Sequence, residues 1–182
     1  MDKSIGFVEF QTVSSGITAA DAMAKAADID IIEAQTVCPG KYIVLFSGKL
    51  SAVNAAIEVG TKSCPSMLID SFVLGNPEDS IFKALSGTSE IGEVESLGVM
   101  ETFSVASIIV AADTAAKTAK IRLVEIRLAK GMCGKSYVLL TGELAAVQAA
   151  LDAASKKAAE DGMLLDKSLI PNPDKKIWEK LI

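Results

Sequence analysis

Three cysteines carry most of the reactive chemistry this sequence offers: Cys38 in TVCPGK, Cys64 in KSCPSM and Cys133 in KGMCGK. A cysteine thiolate can act as nucleophile, redox group or metal ligand. No CxxC pair is present, and there is no histidine. The missing histidine removes the commonest general base near neutral pH and the commonest transition-metal ligand. A Ser-His-Asp or Cys-His mechanism therefore cannot be built from one chain, nor from several copies of it. Three irregularly spaced cysteines do not form a disulfide framework either. Glu9 and Glu101 could do acid–base chemistry as a pair. They occupy equivalent positions in separate halves, so an interface role is the better reading. The glycines form no GxGxxG or Walker pattern, so no nucleotide site is expected.

The three thiols differ in setting. Most free cysteines are small buried hydrophobes, and Cys38 can be read that way. Its neighbours argue the other way: Pro39-Gly40 is a turn, turns lie on surfaces, and the position falls outside any apolar stripe. Cys64 follows a helix end and has alanine opposite it in the other half of the chain, which fits a structural or incidental thiol. Cys133 lies in the loop equivalent to that of Cys38.

The elements that must position these residues are written twice. Gly6 matches Gly98, Glu9 matches Glu101, Ala19-Ala20-Asp21 matches Ala111-Ala112-Asp113, Lys25 matches Lys117 and Glu33 matches Glu125. After a slip of two residues, GKYIVLFSGKLSAVNAAI from Gly40 pairs with GKSYVLLTGELAAVQAAL from Gly134. After another, MLIDS from Met67 pairs with MLLDK from Met163, and Asn76-Pro77 pairs with Asn172-Pro173. Both slips fall between elements, where insertions are tolerated. The chain is a tandem duplication.

Each copy reads alike. GFVEFQTV has strand composition, and SGITAADAMAKAAD is helical. DIIEAQTV and YIVLFSG are strands flanking the CPGK turn. Leu50, Val53 and Ile57 form one face of a helix that Leu144, Val147 and Leu151 repeat. MLIDSFVLG is a fourth strand, and a short helix follows Pro77. The order β-α-β-β-α-β defines an α+β fold, two tandem ferredoxin-like domains over residues 1–90 and 91–182. SGTSEIGEVES, Ser86 to Ser96, reads as their linker.

Composition sets further bounds. Half of the 182 residues are apolar and aromatics are few, which favours helix-on-sheet packing over an aromatic groove. The net charge of −5 leaves no basic stripe for nucleic acid. No apolar run approaches the ~20 residues that span a bilayer, and MDKSIGFVEF is not a secretory signal. A cytosolic protein with reduced thiols is expected. A duplicated chain often replaces a symmetric oligomer, and a homotrimer of this one would be a pseudo-hexamer.

Gly6-Phe7-Val8-Glu9, Ala20 through Ala26, Pro39-Gly40-Lys41-Tyr42, Ser47-Gly48, Val53-Asn54-Ala55-Ala56 and Asn76-Pro77 resemble the bacterial microcompartment shell domain. Two such domains without circular permutation resemble the tandem, trimer-forming shell proteins, and TVCPGK resembles the PduT-like group among them. The resemblance covers essentially the whole chain. It implies a flat trimeric tile of a polyhedral shell in the cytoplasm, partnered by other shell proteins and by encapsulated redox enzymes. It implies that the loops from Val37 to Lys41 and from Lys130 to Lys135 line a central pore, with Val37, Pro39, Gly40, Gly131, Met132, Cys133 and Gly134 among the lining residues. Lys25 and Lys117 match the edge lysines that pack tile against tile. A simple i, i+4 ion pair with Asp21 and Asp113 is also a sufficient reason for them.

The same resemblance implies a 4Fe–4S cluster at the pore, shared by three chains through Cys38. A cubane has three-fold axes, so three irons can each take one Cys38 sulfur while the fourth lies on the axis. The tile would then conduct electrons or store a cluster, and would not be an enzyme. Cys133 is read as a bystander, the alternatives being a second ligand shell or a separate metal site. Three competing readings are a tile whose pore passes metabolites or cofactors without a cluster, a redox enzyme using the open iron, and a ferredoxin-like binder of a small effector. The encapsulated chemistry, of a vitamin-B12-type or glycyl-radical diol pathway, follows by association only.

Overall fold

A computed structural model describes residues 4–93 and 95–181. Among them the chain forms two compact units, Met1–Pro77 and Glu78–Ile182. In the first, strands β1 (Ser4–Phe10), β2 (Ile29–Val37), β3 (Lys41–Gly48) and β4 (Leu68–Leu74) form an antiparallel sheet in the order β2-β3-β1-β4. Helices α1 (Val13–Ala26) and α2 (Leu50–Ser63) pack on it. In the second unit, β5 (Ser96–Thr102), β6 (Arg122–Arg127), β7 (Ser136–Gly142) and β8 (Leu164–Ile170) repeat the order as β6-β7-β5-β8. There α4 (Val105–Thr118) and α5 (Leu144–Glu160) take the places of α1 and α2. Two short helices follow the fourth strands: α3 (Ser80–Leu85) and α6 (Lys175–Leu181).

The alternation of β1 explains its central place. Val8 and Phe10 point to the helices, where they meet Ala19, Met23, Tyr42, Val44, Phe46, Val53 and Ala56 in one cluster. Phe7 faces the other way and stacks on Phe72 of β4, with ring centroids 5.3 Å apart. Gly6 allows α2 to approach: a Cβ there would meet the Phe46 ring and lie 2.9 Å from Val53 Cγ1. Gly98 has the same part in the second unit, its Cβ position falling 2.9 Å from Val147. This close packing is why the glycine recurs in both copies.

The first strand is shorter than the run GFVEFQTV suggests. It ends at Phe10 because Thr12 caps α1, its hydroxyl accepting from the Ser15 N–H at 3.4 Å. Ser104 does the same for α4, accepting from Ser107 N–H at 3.1 Å. The boundary of packing also differs from the boundary of the sequence repeat. α3 belongs by sequence to the first copy, yet it packs against β6 and α4 in the second unit. The segment read as a linker is tied down beside it, since Arg122 on β6 donates to the Ile91 carbonyl at 2.8 Å and pairs with Glu95 at 3.3 Å. Val94 in that segment lies outside the described residues.

Candidate functional site: two hairpin loops and a thiol

The connection between β2 and β3 is tight. Val37 pairs with Lys41 in register, so residues 38–40 form the whole turn. The Gly40 N–H donates to the Val37 carbonyl at 2.9 Å, and Gly40 takes φ +97, a left-handed conformation that favours glycine. Val37 is buried and anchors the strand end, whereas Cys38 is half-buried at the turn. The thiol is thus held on a short loop, on a residue that is only half-buried.

Lys41 fastens that loop to the sheet. Its Nζ lies 3.0 Å from Glu9 Oε1, and the Glu9 side chain is only 5% exposed. A buried carboxylate without a partner is costly, so the pair fixes where the lysine stem, and with it the turn, can sit. The sequence reading of Glu9 as an interface residue missed this. The register of β1 on β3 brings them together, Glu9 pairing with Ile43, two residues from Lys41 on the same strand. Among the described residues Glu101, its counterpart, has no such ion pair.

The equivalent loop of the second copy, residues 128–135, is longer and built differently. Leu128 and Ala129 are buried, and the Ala129 N–H donates to Ser136 Oγ at 3.2 Å. Lys135 N–H donates to the Met132 carbonyl at 3.1 Å. Ala129, Gly131, Cys133 and Gly134 all have positive φ, and Cys133 is exposed. The two thiols therefore stand on loops of unlike length and backbone. Beside the second loop, Tyr137 donates to Glu125 Oε2 at 2.9 Å and Arg127 lies over the tyrosine ring. Burial first, and the Glu125 carboxylate second, push Tyr137 up to about 12. The same carboxylate raises the Arg127 guanidinium.

Cys64 is the C-cap residue of α2 and packs against the first core cluster, which fits the structural reading. Lys25 is exposed and donates to Asp21 Oδ2 at 2.6 Å. Lys117 donates to Asp113 Oδ2 at 2.7 Å, but here the aspartate is buried and its Oδ1 also accepts from the Glu78 N–H at 2.8 Å. Among the described residues no group of three or more His, Cys, Asp or Glu side chains could hold a metal within one chain. No helix among them is long and apolar enough to cross a membrane.

Two ferredoxin-like units in tandem, each with a β2–β3-type hairpin loop, define a duplicated shell-domain architecture, and comparison with known proteins agrees. The BMC domain model matches residues 4–77 and 96–173. The chain therefore belongs to the BMC-domain family, as a tandem-domain shell protein of bacterial microcompartments. It is 37% identical over 182 residues to the bacterial microcompartment shell protein PduT of Citrobacter freundii, covering 100% of this chain and 99% of that one. A microcompartment protein of Desulfitobacterium hafniense DCB, known from its crystal structure, superposes with a TM-score of 0.94 at 45% identity, over 98% and 99% of the two chains. The carboxysome shell protein CsoS1 of Prochlorococcus marinus is 31% identical over 96 residues, 51% of this chain and 93% of its own length, as befits one domain against two.

Proposed function

We propose that three copies of this chain close into a pseudo-hexameric shell tile whose pore is lined by both hairpin loops and carries one 4Fe–4S cluster on three Cys38 thiolates. The observation that carries the trimer is a difference between equivalent positions. Val105 and Ile109 on α4 are 1% and 0% exposed, whereas Val13 and Ile17 on α1 are 37% and 53% exposed. The same apolar face is covered in the second copy and bare in the first. A duplicated chain that covers one of two equivalent faces leaves the other for the next chain, and such head-to-tail contacts generate rings when the rotation closes.

The residues present fit the cluster only if it is shared. Among the described residues one chain offers no ligand set, but Cys38 supplies one thiol on a half-buried turn, and thiolate is the donor that iron–sulfur clusters take. When bound, such a cluster would supply one-electron transfer across the shell. The chain's own part is to hold the turn: Val37 buries the strand end, Gly40 closes the bend, and Lys41 ties it to Glu9. Encapsulated redox enzymes would then be the electron partners. In this reading Cys133, on a longer loop of different backbone, is a bystander, and Lys25 lies at the tile edge.

Purification without oxygen of the wild type, Cys38→Ser and Cys133→Ser, with iron and sulfide assayed per trimer, tests this. About one cluster per trimer, lost only in Cys38→Ser, is expected. A colourless wild type after reconstitution overturns the cluster and leaves a tile with an open, metabolite-conducting pore.

A further inference from the structure

The buried Asp113 and the exposed Asp21 are equivalent residues with unequal partners, and the difference identifies a contact between chains. Asp113 divides its oxygens: Oδ2 accepts from Lys117, four residues on, and Oδ1 accepts from the backbone N–H of Glu78. Glu78 opens the turn after Asn76-Pro77 that leads into α3. In copy one, Asp21 Oδ2 accepts from Lys25 in the same way, and Oδ1 has no partner among the described residues.

The counterpart of Glu78 is Asp174, after Asn172-Pro173. The two turns are built alike. Glu78 accepts the Ser80 N–H on its side chain at 2.6 Å, and Asp174 accepts the Lys176 N–H at 2.8 Å. Among the described residues no carboxylate accepts from the Asp174 N–H. The helices that follow show the same contrast. Ile81 of α3 is fully buried, while its equivalent Ile177 of α6 is 56% exposed. Trp178 anchors α6 on its own sheet against Leu97, Val124 and Leu139, so Ile177 points away from a helix already fixed in place.

We infer that the turn and helix at Asp174–Leu181 of one chain dock on α1 of a second copy of this chain, with Asp21 Oδ1 accepting from the Asp174 N–H of the partner subunit and Ile177 of the partner subunit covering the face of Val13 and Ile17. Every part has a counterpart in the second unit. There, α3 packs on α4, Asp113 takes the Glu78 N–H, and Ile81, Val105 and Ile109 are buried. Asp21 is thus a clasp between chains, and Lys25 steadies it.

This rests on the trimer reading, so two readouts are needed. Light scattering behind size exclusion gives the oligomer, and hydrogen–deuterium exchange of a peptide spanning 172–178 gives the clasp. Wild-type trimer is expected to protect the Asp174 amide. Asp21→Ala should speed its exchange about tenfold, the size expected for losing one hydrogen bond to a charged acceptor. Asp21→Asn, which keeps an oxygen, should recover part of the protection, and Lys25→Ala most of it. A trimeric wild type whose exchange is unchanged by Asp21→Ala overturns the clasp alone. A monomeric wild type overturns the trimer and the clasp together.

Discussion

Replacing Lys41 by methionine isolates the tether of the Cys38 loop. The substitution keeps the apolar stem and removes the charge, leaving Glu9, 5% exposed on its side chain, without its partner at 3.0 Å. Breaking a fully buried pair in this way costs about 3–5 kcal/mol. The lysine here is 29% exposed, so water screens part of the pairing, and about 2 kcal/mol is the better figure. For a chain of this length that is a fall in Tm of about 4–8 °C. Glu9→Gln removes the buried charge and leaves a partly solvated lysine, so it should cost under about 1 kcal/mol. The double variant should be more stable than Lys41→Met alone. Thermal unfolding followed by circular dichroism on all four proteins closes the cycle. Lys41→Met as stable as wild type, or a double variant no better than Lys41→Met, would refute the claim that the pair holds the loop.

Other outcomes follow from named contacts. Asp113→Ala strips an acceptor from the Glu78 N–H and should destabilise the second unit by about 2–3 kcal/mol, read as a lowered urea midpoint. Gly6→Ala forces a Cβ into Phe46 and Val53 and should cost about 1–3 kcal/mol in the same assay. Tyr137 ionises near its ordinary value of 10.0 when unfolded and near 12 when folded, so stability is full below pH 10 and falls between the two. The loss is about 1–2 kcal/mol after allowance for solvent screening, and absorbance near 295 nm should show a late-titrating tyrosine that Tyr137→Phe removes. Cys64→Ala should leave iron and sulfide content unchanged, because that thiol packs on the core.

The duplication and the order of helices and strands along the chain were legible because period-2 and period-3.6 patterns recur in both halves. Cys38 could be placed on a turn because Pro39-Gly40 punctuates the sequence. Thr12 was misplaced in the strand, since a cap residue shares composition with a strand end and only its hydrogen bond to Ser15 tells them apart. The tie between Glu9 and Lys41 depends on strand register, which residue spacing does not encode. The packing of α3 on the second unit, and hence the unequal fates of Asp21 and Asp113, comes from long-range docking. Local pattern gives both aspartates the same i, i+4 lysine and cannot separate them.

Native mass spectrometry of the anaerobically purified protein tests the central claim most directly, because it reads chain number and cluster together. Three chains of 19.0 kDa plus about 350 Da for a single 4Fe–4S cluster are expected, with the added mass absent in Cys38→Ser while the trimer persists. A trimer without the added mass, or with it retained in Cys38→Ser, would contradict a cluster shared through Cys38.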